Sequence, residues 1–159
     1  MSIKIRKLGQ HIGACVEGVK IAQSLNPEAV QRLRDAFREH CVLVFNDQVI
    51  SDEQQMAFTK KFGTVALTLP SDPYGGGGPV NRITNVDEQG QLIPADDTRS
   101  LYQAGNMLWH SDGSFGAVPL QASFLSARVV PPSGGETEFA SVRAAFAAYP
   151  NEKKRHWTT

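Results

Sequence analysis

Four consecutive glycines, Gly75 to Gly78, set among Pro70, Pro73 and Pro79, divide this chain. Glycine gives up the most backbone freedom on ordering, and proline cannot donate to a helix or a ladder. No regular element can therefore run through this stretch, and the fold must be assembled from elements on either side of Leu69–Arg99. Inside it, Ile83-Thr-Asn-Val86 offers one short strand, Asp87-Glu-Gln-Gly90 a turn, and Asp96-Asp97 continues a polar loop. A loop of this length within a compact domain is either a functional lid or a disordered connection. It is not a phosphate cradle, because neither a Lys-Ser/Thr pair nor a helix start follows the glycines.

Before the divide, Ile3, Ile5 and Leu8 alternate with basic residues, as in a half-buried strand, and Ala14-Cys15-Val16 reads as a second strand. Asn26-Pro27-Glu28 is a helix start: an asparagine cap, proline at the first position and acid in the first turn. Ala29, Val30, Leu33, Ala36 and Phe37 then share one face, which predicts a helix to about His40. The apolar run Cys41–Phe45 predicts a buried strand. Ser51 with Gln54 three residues on opens a second helix, with Met56, Ala57, Phe58 and Phe62 apolar and Gly63 as its stop. After the divide, Leu120–Val130 predicts a long strand, Pro131-Pro-Ser-Gly-Gly135 a turn, and Glu136–Phe139 a short strand. Ser141 caps a helix through Tyr149, and a polar helix starts at Pro150. No internal repeat is visible.

The 159 residues suit one domain, residues 1–159, with 69–99 as its glycine-rich lid or loop. Sixteen basic residues balance sixteen acidic ones, so no basic stripe argues for nucleic acid and no acidic tail for disorder. Cys15 and Cys41 lack metal or redox spacing and read as reduced thiols of a cytoplasmic protein. The basic N-terminus is followed by no apolar segment of the secretory kind, and nothing approaches the roughly 20 apolar residues of a membrane span.

The chemistry gathers at His110-Ser111-Asp112, within the run Asn106–Phe115. In an extended strand, residues i and i+2 face the same way, so an imidazole and a carboxylate would meet at one point while Ser111 turns away. That is two thirds of the two-histidine, one-carboxylate facial triad of non-haem Fe(II) sites. Alone, His-x-Asp is more often a hydrogen-bonded surface pair. Its setting shifts the balance: Trp109 is a bulky flank able to restrict water, and Asn106 lies four residues upstream. Thr137, after a glycine turn, could return on a neighbouring strand with a hydroxyl for a carboxylate.

Asn106-x-x-Trp-His-Ser-Asp112, followed by Val129-Val-Pro-Pro-Ser-Gly-Gly-Glu-Thr-Glu-Phe139, resembles the TauD/TfdA family of Fe(II)- and 2-oxoglutarate-dependent dioxygenases, in wording nearest to the aryloxyacetate branch. The likeness extends to Val42–Phe45, Phe62-Gly63 and Ile83–Asn85. It implies a mostly β chain with flanking helices (α+β), built on a double-stranded β-helix or jelly roll that is incomplete here. It also implies Fe(II), with 2-oxoglutarate as co-substrate, O2, and hydroxylation of a small organic acid with release of succinate and CO2. Carried over, His110 and Asp112 are the metal ligands and catalytic residues. Thr137 matches the position that binds a 2-oxoglutarate carboxylate, and Asn106 a position at the substrate pocket. Tyr74 is a looser candidate for substrate contact.

Family members run to nearly twice this length. The chain is therefore expected to be the N-terminal half of such a domain, with the second histidine ligand and the arginine for 2-oxoglutarate beyond Thr159. His156 matches no ligand position, and His11 and His40 read as ordinary. A jelly roll cut partway leaves strand edges and an apolar face open to another chain, including a homo-oligomer. The alternatives are a non-catalytic fragment or interaction module of the same fold, and a cupin, which clusters histidines more densely.

Overall fold

The computed structural model describes residues 2–70, 77–114 and 116–155. The chain forms two compact units: unit 1 is Met1–Phe62 with Ala127–Thr159, and unit 2 is Gly63–Ser126.

Unit 1 is built on a three-stranded sheet of order β1-β2-β3. β1 (Lys4–Lys7) pairs antiparallel with β2 (Ala14–Glu17), placing Ile5 opposite Val16 and Arg6 opposite Cys15. β2 pairs parallel with β3 (Leu43–Val44), Ala14 opposite Leu43. The parallel pair needs a crossover, and α1 (Pro27–His40) supplies it. The Asn26 side chain accepts from the Ala29 N–H at 2.9 Å, as the cap reading requires. Ala29, Leu33 and Ala36 are buried on the expected face. Cys41 closes the helix in the left-handed conformation (φ 63°), donating its N–H to Phe37. That sharp exit leaves the His40 and Val42 carbonyls facing β2, where they accept from Gly13 and Ala14 at 2.9 Å each.

α2 (Asp52–Thr59) carries the full capping box between Ser51 and Gln54. Phe58 is its buried residue, edge-on to Phe45 and tilted against Phe62, over which Arg34 stacks. The return of the chain to this unit is fastened by two arginines. Arg128 donates to the Ile50 carbonyl, to Asp52 at 2.8 Å and to Gln55 at 3.1 Å. Arg143, on α4 (Val142–Ala148), donates to the Arg38 and Glu39 carbonyls at 2.8 and 2.7 Å, satisfying acceptors at the end of α1. The short α5 (Asn151–Lys154) follows.

Unit 2 contains α3 (Thr98–Gly105) and a chain of turns. Thr68 and Gly78 close the glycine-rich stretch, Thr68 donating through both N–H and hydroxyl to the Gly78 carbonyl. Asp87 accepts from the Gln89 and Gln91 N–H groups and makes the expected turn, flanked by an isolated bridge between Val86 and Leu92.

The helices of unit 1 follow the sequence reading, whereas several strands do not. Among the described residues the regular structure is a small mixed sheet with flanking helices, more helical than the mostly β expectation. Cys41–Phe45 forms only the two-residue β3, and it is not buried. Leu120–Val130, Glu136–Phe139 and His110–Asp112 are not strands. A strand exists only where a ladder partner satisfies its backbone groups, and these segments have none among the described residues. The helices of the described residues include none long and apolar enough to cross a membrane.

Candidate metal centre

The site grows out of α3. Asp97 caps the helix, its Oδ1 accepting from the Arg99 N–H at 2.8 Å. The Arg99 guanidinium returns to the same carboxylate through two bonds of 3.0 and 2.9 Å. These bonds hold the Asp97 carboxyl at a pKa of about 2, with the Arg99 side chain the main cause. Beyond Gly105 the helix tightens: Asn106, Met107 and Leu108 each donate to the carbonyl three residues back. The chain thus leaves α3 in a compact turn, with His110 two residues on.

His110 and Asp112 do meet, but through a turn rather than along a strand. Gly113 has φ 62°, a left-handed conformation that ends any extended run and makes Asp112–Ser114 a turn. The Ser114 hydroxyl donates to the Ser111 carbonyl at 3.2 Å across it. His110 Nε2 lies 3.2 Å from Asp112 Oδ1, both side chains about half exposed. On the other side of the ring, Nδ1 is 2.7 Å from the Leu108 carbonyl oxygen.

A carbonyl oxygen can only accept, so Nδ1 carries the ring proton in that contact. In the neutral ring Nε2 is then a bare lone pair facing a carboxylate oxygen, itself only an acceptor. Two such atoms at 3.2 Å repel unless a cation or a second ring proton lies between them. Ligands each about 2.0–2.2 Å from one divalent ion and at right angles around it stand about 3 Å apart. The separation suits two adjacent positions of a metal ion, as it also suits an ion pair of a protonated ring with the carboxylate, and Leu108 orients the imidazole as a neighbouring acceptor does in metal sites. A cluster of three or more His, Cys, Asp or Glu side chains is absent among the described residues.

The other expected residues are placed differently. Asn106 ends α3, where its Nδ2 donates to Gln103 Oε1 at 2.9 Å. The Gln103 nitrogen is itself buried without a hydrogen-bond partner among the described residues. Thr137 belongs to unit 1, on an exposed segment without regular structure. Trp109 is 70% exposed. Tyr74 and His156 lie outside the described residues. Sequence reasoning missed the Leu108 carbonyl, which carries no side-chain signal, and the Asp97–Arg99 clasp. Gly113 was legible in principle, since a glycine directly after His-x-Asp marks a turn.

The family model "Taurine catabolism dioxygenase TauD, TfdA family" matches residues 4–159, and the chain belongs to this family. It is 35% identical to the alpha-ketoglutarate-dependent 2,4-dichlorophenoxyacetate dioxygenase of Cupriavidus pinatubonensis, over 96% of this chain and 54% of that protein. It is 36% identical to the (S)-phenoxypropionate/alpha-ketoglutarate-dioxygenase of Delftia acidovorans, over 92% of this chain and 49% of the relative. Its fold matches the crystal structure of AAD-2 in complex with Mn(II) and N-oxalylglycine with a TM-score of 0.85 and 40% identity, covering 98% of this chain and 53% of the other. The chain thus spans about half the length of the relatives it matches.

Proposed function

We propose that this chain supplies the His-x-Asp part of an Fe(II)- and 2-oxoglutarate-dependent dioxygenase that hydroxylates a small organic acid. The observation that carries the reading is the approach of His110 Nε2 to Asp112 Oδ1, with Nδ1 already committed to Leu108. Family membership and the relatives' named activities support it. In this reading His110 and Asp112 hold the metal. Thr137 holds a carboxylate of 2-oxoglutarate, and Asn106 lines the substrate pocket with its amide fixed by Gln103. Bound Fe(II) would supply O2 activation coupled to decarboxylation of the co-substrate. The chain's own contribution is orientation: Leu108 keeps the imidazole in the tautomer that offers Nε2, and Gly113 turns the carboxylate toward it. The substrate class is an aryloxyalkanoate, as the names of the relatives suggest. The complete jelly roll, a glycine-rich lid or loop over 69–99 and a cytoplasmic location belong to the same proposal.

The test is an anaerobic titration with Fe(II) and 2-oxoglutarate, read by the visible charge-transfer band of the chelate. A saturable band that disappears in His110→Ala is expected. A band insensitive to His110→Ala overturns the reading, and no band in folded protein would mean that this chain by itself does not complete the site. A non-catalytic interaction module is the second reading, favoured by the lack of a third ligand among the described residues. Folded protein without the band would support it.

A further inference from the structure

Directly after the carboxylate ligand, Gly113 combines two constraints. Its φ of 62° disfavours any side chain. Independently, a Cβ at this position would lie 2.6 Å from Leu120 Cδ1 and 3.1 Å from Leu120 Cβ, far inside contact distance. The Leu120 side chain therefore rests on the bare Cα of Gly113. Among the described residues the other bonds of the turn are long: Ser114 to the Ser111 carbonyl at 3.2 Å and Gly116 to the Gly113 carbonyl at 3.4 Å. α3 buries no residue that could brace the turn from its other end. An exposed turn held this lightly would let the carboxylate wander, whereas a metal ligand must be held to within about half an ångström.

We propose that Leu120 is a positioning residue for the metal centre: packed on the Cα of Gly113, it pins the turn that presents Asp112 to the ion shared with His110. The inference rests on the metal reading above. It explains why a large apolar residue sits seven positions beyond Gly113 while remaining 43% exposed. Leu120 gives the unit little buried area, and its use is local. Glycine at 113 is then required twice, for the turn and for the leucine's seat.

Mn(II) binding to the full chain, followed by loss of the free-ion paramagnetic resonance signal, tests this without turnover. Leu120→Ala should weaken Mn(II) binding by about tenfold, at the low end for residues that orient metal ligands. Its urea unfolding midpoint should stay unchanged. Leu120→Met, nearly equal in volume, should keep affinity within about twofold. Gly113→Ala should weaken binding more than Leu120→Ala. The double variant should lose less than the product of the two single losses, because removing the leucine opens room for the new Cβ. Unchanged affinity in Leu120→Ala, or losses that simply multiply, overturns the proposal while leaving the metal reading intact. Binding that His110→Ala does not reduce, or no uptake by the wild-type chain, overturns the metal reading and the proposal with it.

Discussion

The first 58 residues and the segment Gly63–Ser126 are held together by different forces. Every buried apolar residue among those described, from Ile3 to Phe58, lies in the first region, where strands, crossover helix and capping-box helix pack on one another. Unit 2 buries no residue among those described and is organised by caps and turns, with Leu120 against Gly113. The first region thus has the makings of a hydrophobic core, whereas the region carrying His110 and Asp112 is shaped by short-range polar bonds. Core burial fixes a fold at roughly 25 cal/mol per Å² of apolar surface, while exposed polar contacts fix local geometry at small net gain. The contrast places the proposed metal pair in the less buried unit, as is common for segments that bind ligands.

The sharpest way to break this contrast is to substitute leucine by alanine on both sides of it. Leu33 is fully buried in α1, so Leu33→Ala should lower the unfolding free energy by about 2–5 kcal/mol, read from urea denaturation. A loss below about 1 kcal/mol would mean the first region is not the stable core.

A smaller and local effect is expected at Asp97. Its pKa falls from the ordinary 3.8 to about 2 through the bonds from Arg99. A carboxyl depressed on folding stabilises α3 above its ordinary value, and that contribution is lost as pH falls through 4 toward 2. Amide exchange in α3 should therefore show steady protection from pH 7 to 4, after correction for intrinsic rates, and lose it below. Asp97→Asn should remove the step. A step persisting in that variant would assign the pH response to another group.

The smallest effect is expected at Leu101, on α3 and largely exposed. Leu101→Ala should change unfolding free energy by no more than about 0.5 kcal/mol. A loss approaching that of Leu33→Ala would show that unit 2 buries more than its turns suggest, and would erase the contrast.

The sequence was most readable where structure is local. Asn26-Pro27-Glu28 and Ser51 with Gln54 placed the starts of α1 and α2 to the residue, and Ser141 did so for α4. α3 went unread because Asp97 was taken as loop, although an Asp cap followed by Leu101 and Tyr102 is a helix signal of moderate strength. Leu120–Val130 and Glu136–Phe139 carry strand composition, yet composition describes only what would fit a sheet. The site divides the same way. His-x-Asp pointed to a pair that does come together, but the strand assumed to align it is absent among the described residues, and Gly113 brings the two side chains together through a turn.

By itself the sequence determined the starts of α1, α2 and α4, the glycine-rich divide, the family and the His110–Asp112 pair proposed to hold a metal. Caps, turns and motifs are written within four or five consecutive residues, so their information survives without the fold. Only the tertiary structure decided which strands found partners, that β2 joins β3 across α1, and that Leu120 seats on Gly113. Those outcomes depend on backbone groups and side chains far apart in the chain meeting at van der Waals distance. No local pattern encodes such a meeting.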